Sequence, residues 1–162
     1  MIEITESMFT RPAVFQGGVL EDDNTWMPLG TIGHARPLSY DTGTGSWISL
    51  LRARTRGTIA RHRHAAPVTA WTLDGAWGYR EHDWVARKGS FVYEPAGHIH
   101  TLYVPDEPGS MLALFHVFGP LVYLNEDGSP ADYEDVFVRI DRYAAYCRTV
   151  GLGEDWVRSL IR

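Results

Sequence analysis

The chain predicts an all-β barrel or sandwich with helices at its C-terminal end, and three observations carry that expectation. From residue 46 onward at least eight short runs with strand character follow one another, separated by glycine, proline and aspartate, a spacing that suits a closed double-sheet arrangement. After residue 129 the apolar residues change from strand to helical spacing. Two histidine-bearing segments, His62-Arg63-His64 and Pro95-Ala96-Gly97-His98-Ile99-His100, lie on separate strand candidates that a barrel brings together.

Residues 1–44 are expected to form an N-terminal arm, with turn signals at Gly17-Gly18, Asp22-Asp23-Asn24 and Asp41-Thr42-Gly43. Trp26, Met27 and Leu29 suit an extra strand packed against the barrel, and the arm reads as scaffold or dimer contact. Residues 45–125 supply the barrel, with strands expected over 46–52, 57–64 and 68–73. Asp74-Gly75 then reads as a hairpin turn. Residues 76–82 and 84–86 form a second expected hairpin around Asp83, and 91–94, 98–104, 111–118 and 121–124 complete the set.

In the tail, 129–162, Ser129-Pro130-Ala131-Asp132 reads as a helix start with serine as cap and proline at the first helical position. Val136, Phe137, Ile140, Tyr143, Ala144 and Cys147 then recur on one apolar helical face until Gly151 and Gly153 end it. Residues 154–161 suit a short second helix with Trp156, Val157, Leu160 and Ile161 turned inward. Cys147 falls on the apolar face, so core packing is expected of it rather than reactivity.

A length of 162 residues, expected to form one domain, is enough for a good core without covalent staples. The formal charge of −5 offers no general field for a phosphate backbone, so nucleic acid is not an expected partner. A single cysteine precludes an internal disulfide and suits a reducing cytoplasm. Met1 to Glu6 lack the basic and apolar runs of a secretory signal, and no stretch approaches the roughly eighteen apolar residues of a membrane span. Neither export nor membrane insertion is expected.

Histidines two apart on a strand project to one face, because side chains alternate, and Arg63 points away from His62 and His64. An isolated His-x-His is often no more than a solvated strand face. The second segment changes that reading, since Gly89, Pro95 and Gly97 punctuate a strand-turn-strand unit that places His98 and His100 at the start of another strand. Joined by one later histidine, such a pair can hold a divalent metal at about 2.0–2.1 Å from each nitrogen.

At Gly89, Pro95, Gly97 and His100 the chain resembles the second motif of the cupins, with Val104 in place of its usual final asparagine. The first motif is met by His62, His64 and Gly75, while Gly57 stands one residue too close and the usual glutamate is missing, Val68 and Thr69 occupying its possible places. The resemblance implies a cupin jelly-roll barrel. Beyond the motifs, residues 62–68, 81–86 and 89–95 resemble a narrower branch, the 2,4'-dihydroxyacetophenone dioxygenases and, more distantly, the acetylacetone-cleaving dioxygenases. That likeness implies an Fe(II) held by His62, His64 and His100, and oxygen-dependent carbon–carbon cleavage of an aromatic α-hydroxyketone or a β-diketone; related cupins nonetheless differ in chemistry.

Three neutral imidazoles leave a divalent ion its full charge, which favours an anionic bidentate ligand such as an enolate and leaves positions open for substrate and oxygen. A carboxylate from elsewhere would weaken that argument; Glu81 and Glu94 are both near enough in sequence to supply it, and Glu81 is the expected fourth ligand. Glu94, sharing parity with Ser90 and Val92, reads as a proton acceptor beside the metal or as an ion-pair partner of Arg80 or Arg87; His98 is expected no nearer than behind the ligands. Alternation from Val68 puts Ala70 and Thr72 on the metal side, with Trp71, Tyr79, Tyr93 and His116 as candidate pocket walls, although most of the six tryptophans and eight tyrosines are expected in ordinary packing. The expected protein is a cytoplasmic non-haem iron dioxygenase and homodimer. The alternatives are a zinc cupin acting as a small-ligand sensor, or an isomerase or hydrolase using Zn, Mn or Ni.

Overall fold

The computed structural model describes residues 13–162, so residues 1–12 of the expected arm lie outside the described part. Among the described residues eleven strands run β1 (Met27–Leu29), β2 (Gly33–Asp41), β3 (Ser46–Ala53), β4 (Gly57–His64), β5 (Val68–Tyr79), β6 (Val85–Arg87), β7 (Phe91–Glu94), β8 (Ile99–Val104), β9 (Met111–Val117), β10 (Leu121–Leu124) and β11 (Pro130–Glu134). Helices α1 (Val136–Thr149) and α2 (Glu154–Ser159) close the chain. Among the described residues, no helix is long and apolar enough to cross a membrane.

All strand pairings are antiparallel, and they make two curved layers. One runs β1-β2-β3-β9-β5-β7 and the other β6-β5-β8-β4-β10-β11. Strand β5 belongs to both, pairing through its first half with β9 and β7 and through its second half with β6 and β8. It is the seam of the barrel.

Here the structure corrects the expected hairpin at Asp74-Gly75: the strand continues. The register slips between Thr72 and Asp74, and Gly75 takes φ +69°, so the glycine bends one long strand from layer to layer instead of reversing it. A Cβ at Gly75 would meet the Ser110 carbonyl oxygen at 2.2 Å. The arm also holds more structure than expected, since the nine-residue β2 pairs along most of β3.

The expected helix start at Ser129 is corrected as well. Residues from Pro130 pair with β10 as an edge strand, a place where a missing N–H is tolerated, and α1 begins only after Asp135, whose carboxylate accepts from the Val138 N–H at 2.8 Å. Val136, Tyr143 and Cys147 face the barrel, whereas Phe137 is exposed. Burial pushes the Cys147 thiol above its ordinary value, in keeping with a packing role.

Two apolar clusters fill the interior. Tyr40, Trp47, Val117, Leu121, Tyr143 and Leu160 pack between the helices and the barrel, and Ile59, Ala70, Trp77, Tyr79, Leu102 and Ala113 pack inside it. Replacing Gly75 by alanine is expected to cost about 2 kcal/mol or more, combining the positive φ with the clash at Ser110. A urea midpoint unchanged from the native chain would contradict the seam.

Candidate metal centre

Strand β4 presents its histidines through a local irregularity. Pairing with β8 slips between Ile59 and His62, so Ile59 and His62 both turn inward although three positions apart, and Ala60 and Arg61 absorb the extra residue. The ladder then resumes with His62 opposite His100. His64 and His100 are fully buried and His62 half-buried.

The three rings converge through their Nε2 atoms. His62 Nε2 stands 3.0 Å from His64 Nε2 and 3.2 Å from His100 Nε2. All three ligand atoms lie within 4.8 Å of one another. His62 Nδ1 donates to the Ala60 carbonyl at 2.8 Å, which fixes its tautomer and turns the Nε2 lone pair into the cluster. Two ligands about 2.1 Å from one ion stand roughly 3.0 Å apart at a right angle and roughly 3.4 Å apart at a tetrahedral angle, so the donor set fits a divalent metal.

A carboxylate completes the group. Glu94, only 3% exposed, accepts a hydrogen bond from the Tyr79 hydroxyl through Oε1. Its Oε2 lies 3.4 Å from His100 Nε2 and 3.6 Å from His64 Nε2, buried and without a hydrogen-bond partner. Glu94 is the direct cross-strand neighbour of Val68. Tyr79 also stacks on His100, with ring centroids 3.8 Å apart and planes 6° from parallel, and so positions two members at once.

Desolvation governs the electrostatics. Burial, aided by the neighbouring imidazoles, pulls His64 down to about 3 and His100 to about 2, and burial also lowers His62. Burial likewise pushes Glu94 up to about 7, against the Tyr79 hydrogen bond that pulls it down. The imidazoles are therefore neutral at pH 7, the state that metal binding requires.

Other residues singled out from the sequence lie elsewhere. Glu81 is exposed, its carboxylate accepting from the Thr101 N–H and hydroxyl at 2.8 and 3.0 Å, so the nearby carboxylate is Glu94 and not Glu81. Arg80 and His98 are exposed, and Glu94 pairs with neither Arg80 nor Arg87. Trp71 and Tyr93 stand on the outer face, 52% and 59% exposed, Trp71 against Phe91. His116 is on the outer face of β9 against Phe118, because Met111, Ala113, Phe115 and Val117 take the alternate inward positions. Val68, Ala70 and Thr72 do point inward, but Thr72 Oγ1 is engaged by the Trp77 indole at 2.9 Å.

Of the expected pocket residues, Tyr79 lines the apolar cavity that opens at His62 and His64. Its other walls include Ser49, Phe115, Tyr123 and Arg139, none of them anticipated. For Phe115 the alternation of apolar residues along β9 was the available signal. For Arg139 there was none, since a lone arginine among helical apolar positions reads as solvent-facing.

The pattern of the family described as the ChrR cupin-like domain matches residues 17–122. No curated protein matches the sequence. Among solved structures, an RmlC-like cupin protein from Ralstonia eutropha JMP134 is 32% identical, with a TM-score of 0.75 over 86% of this chain and 92% of its own. A protein of unknown function with a cupin-like fold from the same organism is 25% identical, with a TM-score of 0.69 over 73% of this chain and 74% of its own. An acetylacetone dioxygenase from Acinetobacter johnsonii is 17% identical, with a TM-score of 0.73 over 90% of this chain and 99% of its own; at that identity the likeness is one of fold.

The raised Glu94 has a consequence for metal-free stability. Because its folded value, about 7, exceeds its ordinary 4.5, the folded chain binds this proton more tightly than the unfolded one. The group's stabilising contribution is full below pH 4.5 and is lost as pH rises through about 7. In chelator, Glu94→Gln is expected to match the native chain near pH 4.5 and to exceed it at pH 8 by roughly 1–3 kcal/mol in urea unfolding. A native chain more stable than the variant at pH 8 would contradict this burial.

Proposed function

The chain belongs to the ChrR cupin-like domain family, within the cupins, and we propose that its histidine cluster holds a divalent iron and serves a dioxygenase that cleaves a carbon–carbon bond. The substrate class is a small α-hydroxyketone or β-diketone. For 2,4'-dihydroxyacetophenone the balanced outcome consumes one O2 and yields 4-hydroxybenzoate and formate. The observation that carries the reading is the convergence of three neutral Nε2 atoms beside a buried carboxylate oxygen with no partner, at the mouth of an apolar cavity.

In this reading His62, His64 and His100 hold the metal. A bound iron supplies the Lewis acidity and the oxygen chemistry that no side chain possesses. Glu94 Oε2 accepts the proton that the ketone's carbon loses as it becomes an enolate, and Tyr79, holding Oε1, keeps the other oxygen aimed inward. The neutral imidazoles leave the site positive enough to favour that enolate. Leu121, Phe115 and Val117 line the cavity with hydrocarbon and exclude bulk water, which strengthens each of these electrostatic contacts.

One observation favours a second reading. Glu94 Oε2 is close enough to His64 and His100 to serve as a fourth ligand after a small side-chain rotation. A closed set of three histidines and one glutamate would suit zinc in a non-redox ligand-binding cupin.

Oxygen uptake by anaerobically Fe(II)-loaded protein, offered 2,4'-dihydroxyacetophenone and acetylacetone, separates the two. The dioxygenase reading expects uptake matched by carboxylic acid products, abolished together with metal binding in His100→Ala. It also expects a fall of about 10²–10⁴-fold in Glu94→Gln with iron content retained. Iron-loaded protein that consumes no oxygen, joined by a Glu94→Gln variant that loses zinc affinity, would favour the zinc reading.

A further inference from the structure

The cavity at the histidines has a second polar region, supplied by β3, β10, β11 and α1. Arg139, 5% exposed, donates from Nη1 to Glu134 Oε2 at 2.9 Å, and its guanidinium lies over the Trp47 ring at 5.4 Å. Its Nε is buried without a partner, and so is Ser49 Oγ, on a residue 3% exposed. Both residues line the same cavity as His62 and His64. Tyr123 spans the interval, with its ring 5.9 Å from that of His62 and its hydroxyl donating to Glu134 Oε2 at 3.2 Å.

Unspent buried donors are costly, and two that line one cavity are available to a ligand that enters it. Both are donors toward an oxygen, since a guanidinium N–H cannot accept and a serine hydroxyl is free to rotate. Charge at this end is already matched: Glu134 lies between Arg139 and Arg142, and Arg142 reaches Asp132 at 2.7 Å, giving two cations and two anions. Nothing here demands a further full charge. What is missing is an acceptor.

We infer that Arg139 and Ser49 form a second recognition point that reads a hydrogen-bond acceptor oxygen on the substrate, in the part of the cavity between β3 and α1. The inference rests on the proposed reading in one respect, that the cavity at the histidines is where the ligand of that centre binds. It narrows the substrate class to ketones that carry an additional oxygen, either a phenolic oxygen on an aryl ketone or a carboxylate oxygen on a diketone, and sets aside plain aliphatic diketones as preferred ligands. Arg139 is suited to the task because its planar guanidinium is held by Glu134 through one edge while Nε faces another way.

Matched probes test this by calorimetric titration of Zn(II)-loaded protein, where turnover does not intervene. The pairs are 2-hydroxyacetophenone with 2,4'-dihydroxyacetophenone, and pentane-2,4-dione with 2,4-dioxopentanoate. The oxygen-bearing member of one pair is expected to bind at least tenfold tighter, and the responding pair identifies the oxygen as phenolic or carboxylate. That preference is expected to shrink to within about twofold in Ser49→Ala, which removes a hydroxyl with no partner and so leaves the fold intact, and in Arg139→Lys, which keeps the charge beside Glu134 but loses Nε. Equal affinities within both pairs, or a preference that survives in Ser49→Ala, would overturn the inference. Preference without oxygen uptake by the iron form would leave it standing and remove the dioxygenase reading. Uptake without preference would do the reverse, and failure of all four probes to bind would remove both.

Discussion

Three imidazoles and a carboxylate share one buried pocket, and the surrounding structure is arranged to make them tolerate each other. Left to themselves they are poorly matched. His62 turns a lone pair inward, since its Nδ1 proton is given to Ala60, and His64 Nε2 lies 3.0 Å from that lone pair. Glu94 adds an oxygen with no donor. A buried carboxylate facing neutral imidazoles either takes up a proton or waits for a cation, because isolated charge in a low-dielectric interior costs several kcal/mol. The raised Glu94 and the depressed histidines express the first solution, and a divalent ion is the second, answering all four groups together. The pocket is thus one that a single divalent cation can satisfy.

Holding that pocket requires strands that do not slip. The bulge between Ile59 and His62 turns His62 inward and supplies, from Ala60, the carbonyl that orients its ring. Strand β5 contributes Tyr79 from the half that lies in one layer and, from the half in the other, Val68 as the cross-strand neighbour of Glu94. Gly75 connects these halves, so the bend at one glycine sets how the tyrosine meets the carboxylate it holds. A one-residue change of register on either side would send alternate side chains to the solvent face.

These dependencies explain which parts of the molecule could be read from its sequence. Strands such as 57–64, 91–94 and 121–124 were legible because local alternation and turn residues specify them, and so were the three histidines, because motif spacing and strand parity agree. Asp74-Gly75 was misread because a positive φ serves a bulge as readily as a hairpin, and only the partner strands decide between them. Ser129 was misread because Pro130 is acceptable both at a helix start and on an edge strand. Glu81 and Glu94 are alike in sequence terms. What separates them is the neighbour of each: Thr101 satisfies one on the surface, while Tyr79 draws the other inside. Arg139 was invisible for a similar reason, since its counter-charge Glu134 lies on a strand read as helix, and the cavity it lines joins α1 to strands far from it in sequence.

The glutamate missing from the first cupin motif is best understood through register. Position 68, one of the two places where that glutamate could fall, carries valine, and the residue directly across from it on β7 is Glu94, so a carboxylate reaches the pocket from the adjacent strand. Its place there limits what it can do. A ligand contributed beside the histidines would have both oxygens free for the metal, whereas Glu94 has Oε1 committed to the Tyr79 hydroxyl and only Oε2 at liberty. Tyr79 is itself stacked on His100, so the tether cannot shift without disturbing a member of the histidine set. The carboxylate is thereby held with Oε2 at 3.4–3.6 Å from two imidazole nitrogens, its one oxygen at liberty for whatever the histidines bind. Tyr79 is therefore the residue on which the two proposed readings turn: with the tether kept, the three histidines face a carboxylate that has one free oxygen, and with the tether released, the same carboxylate can join them as a fourth ligand.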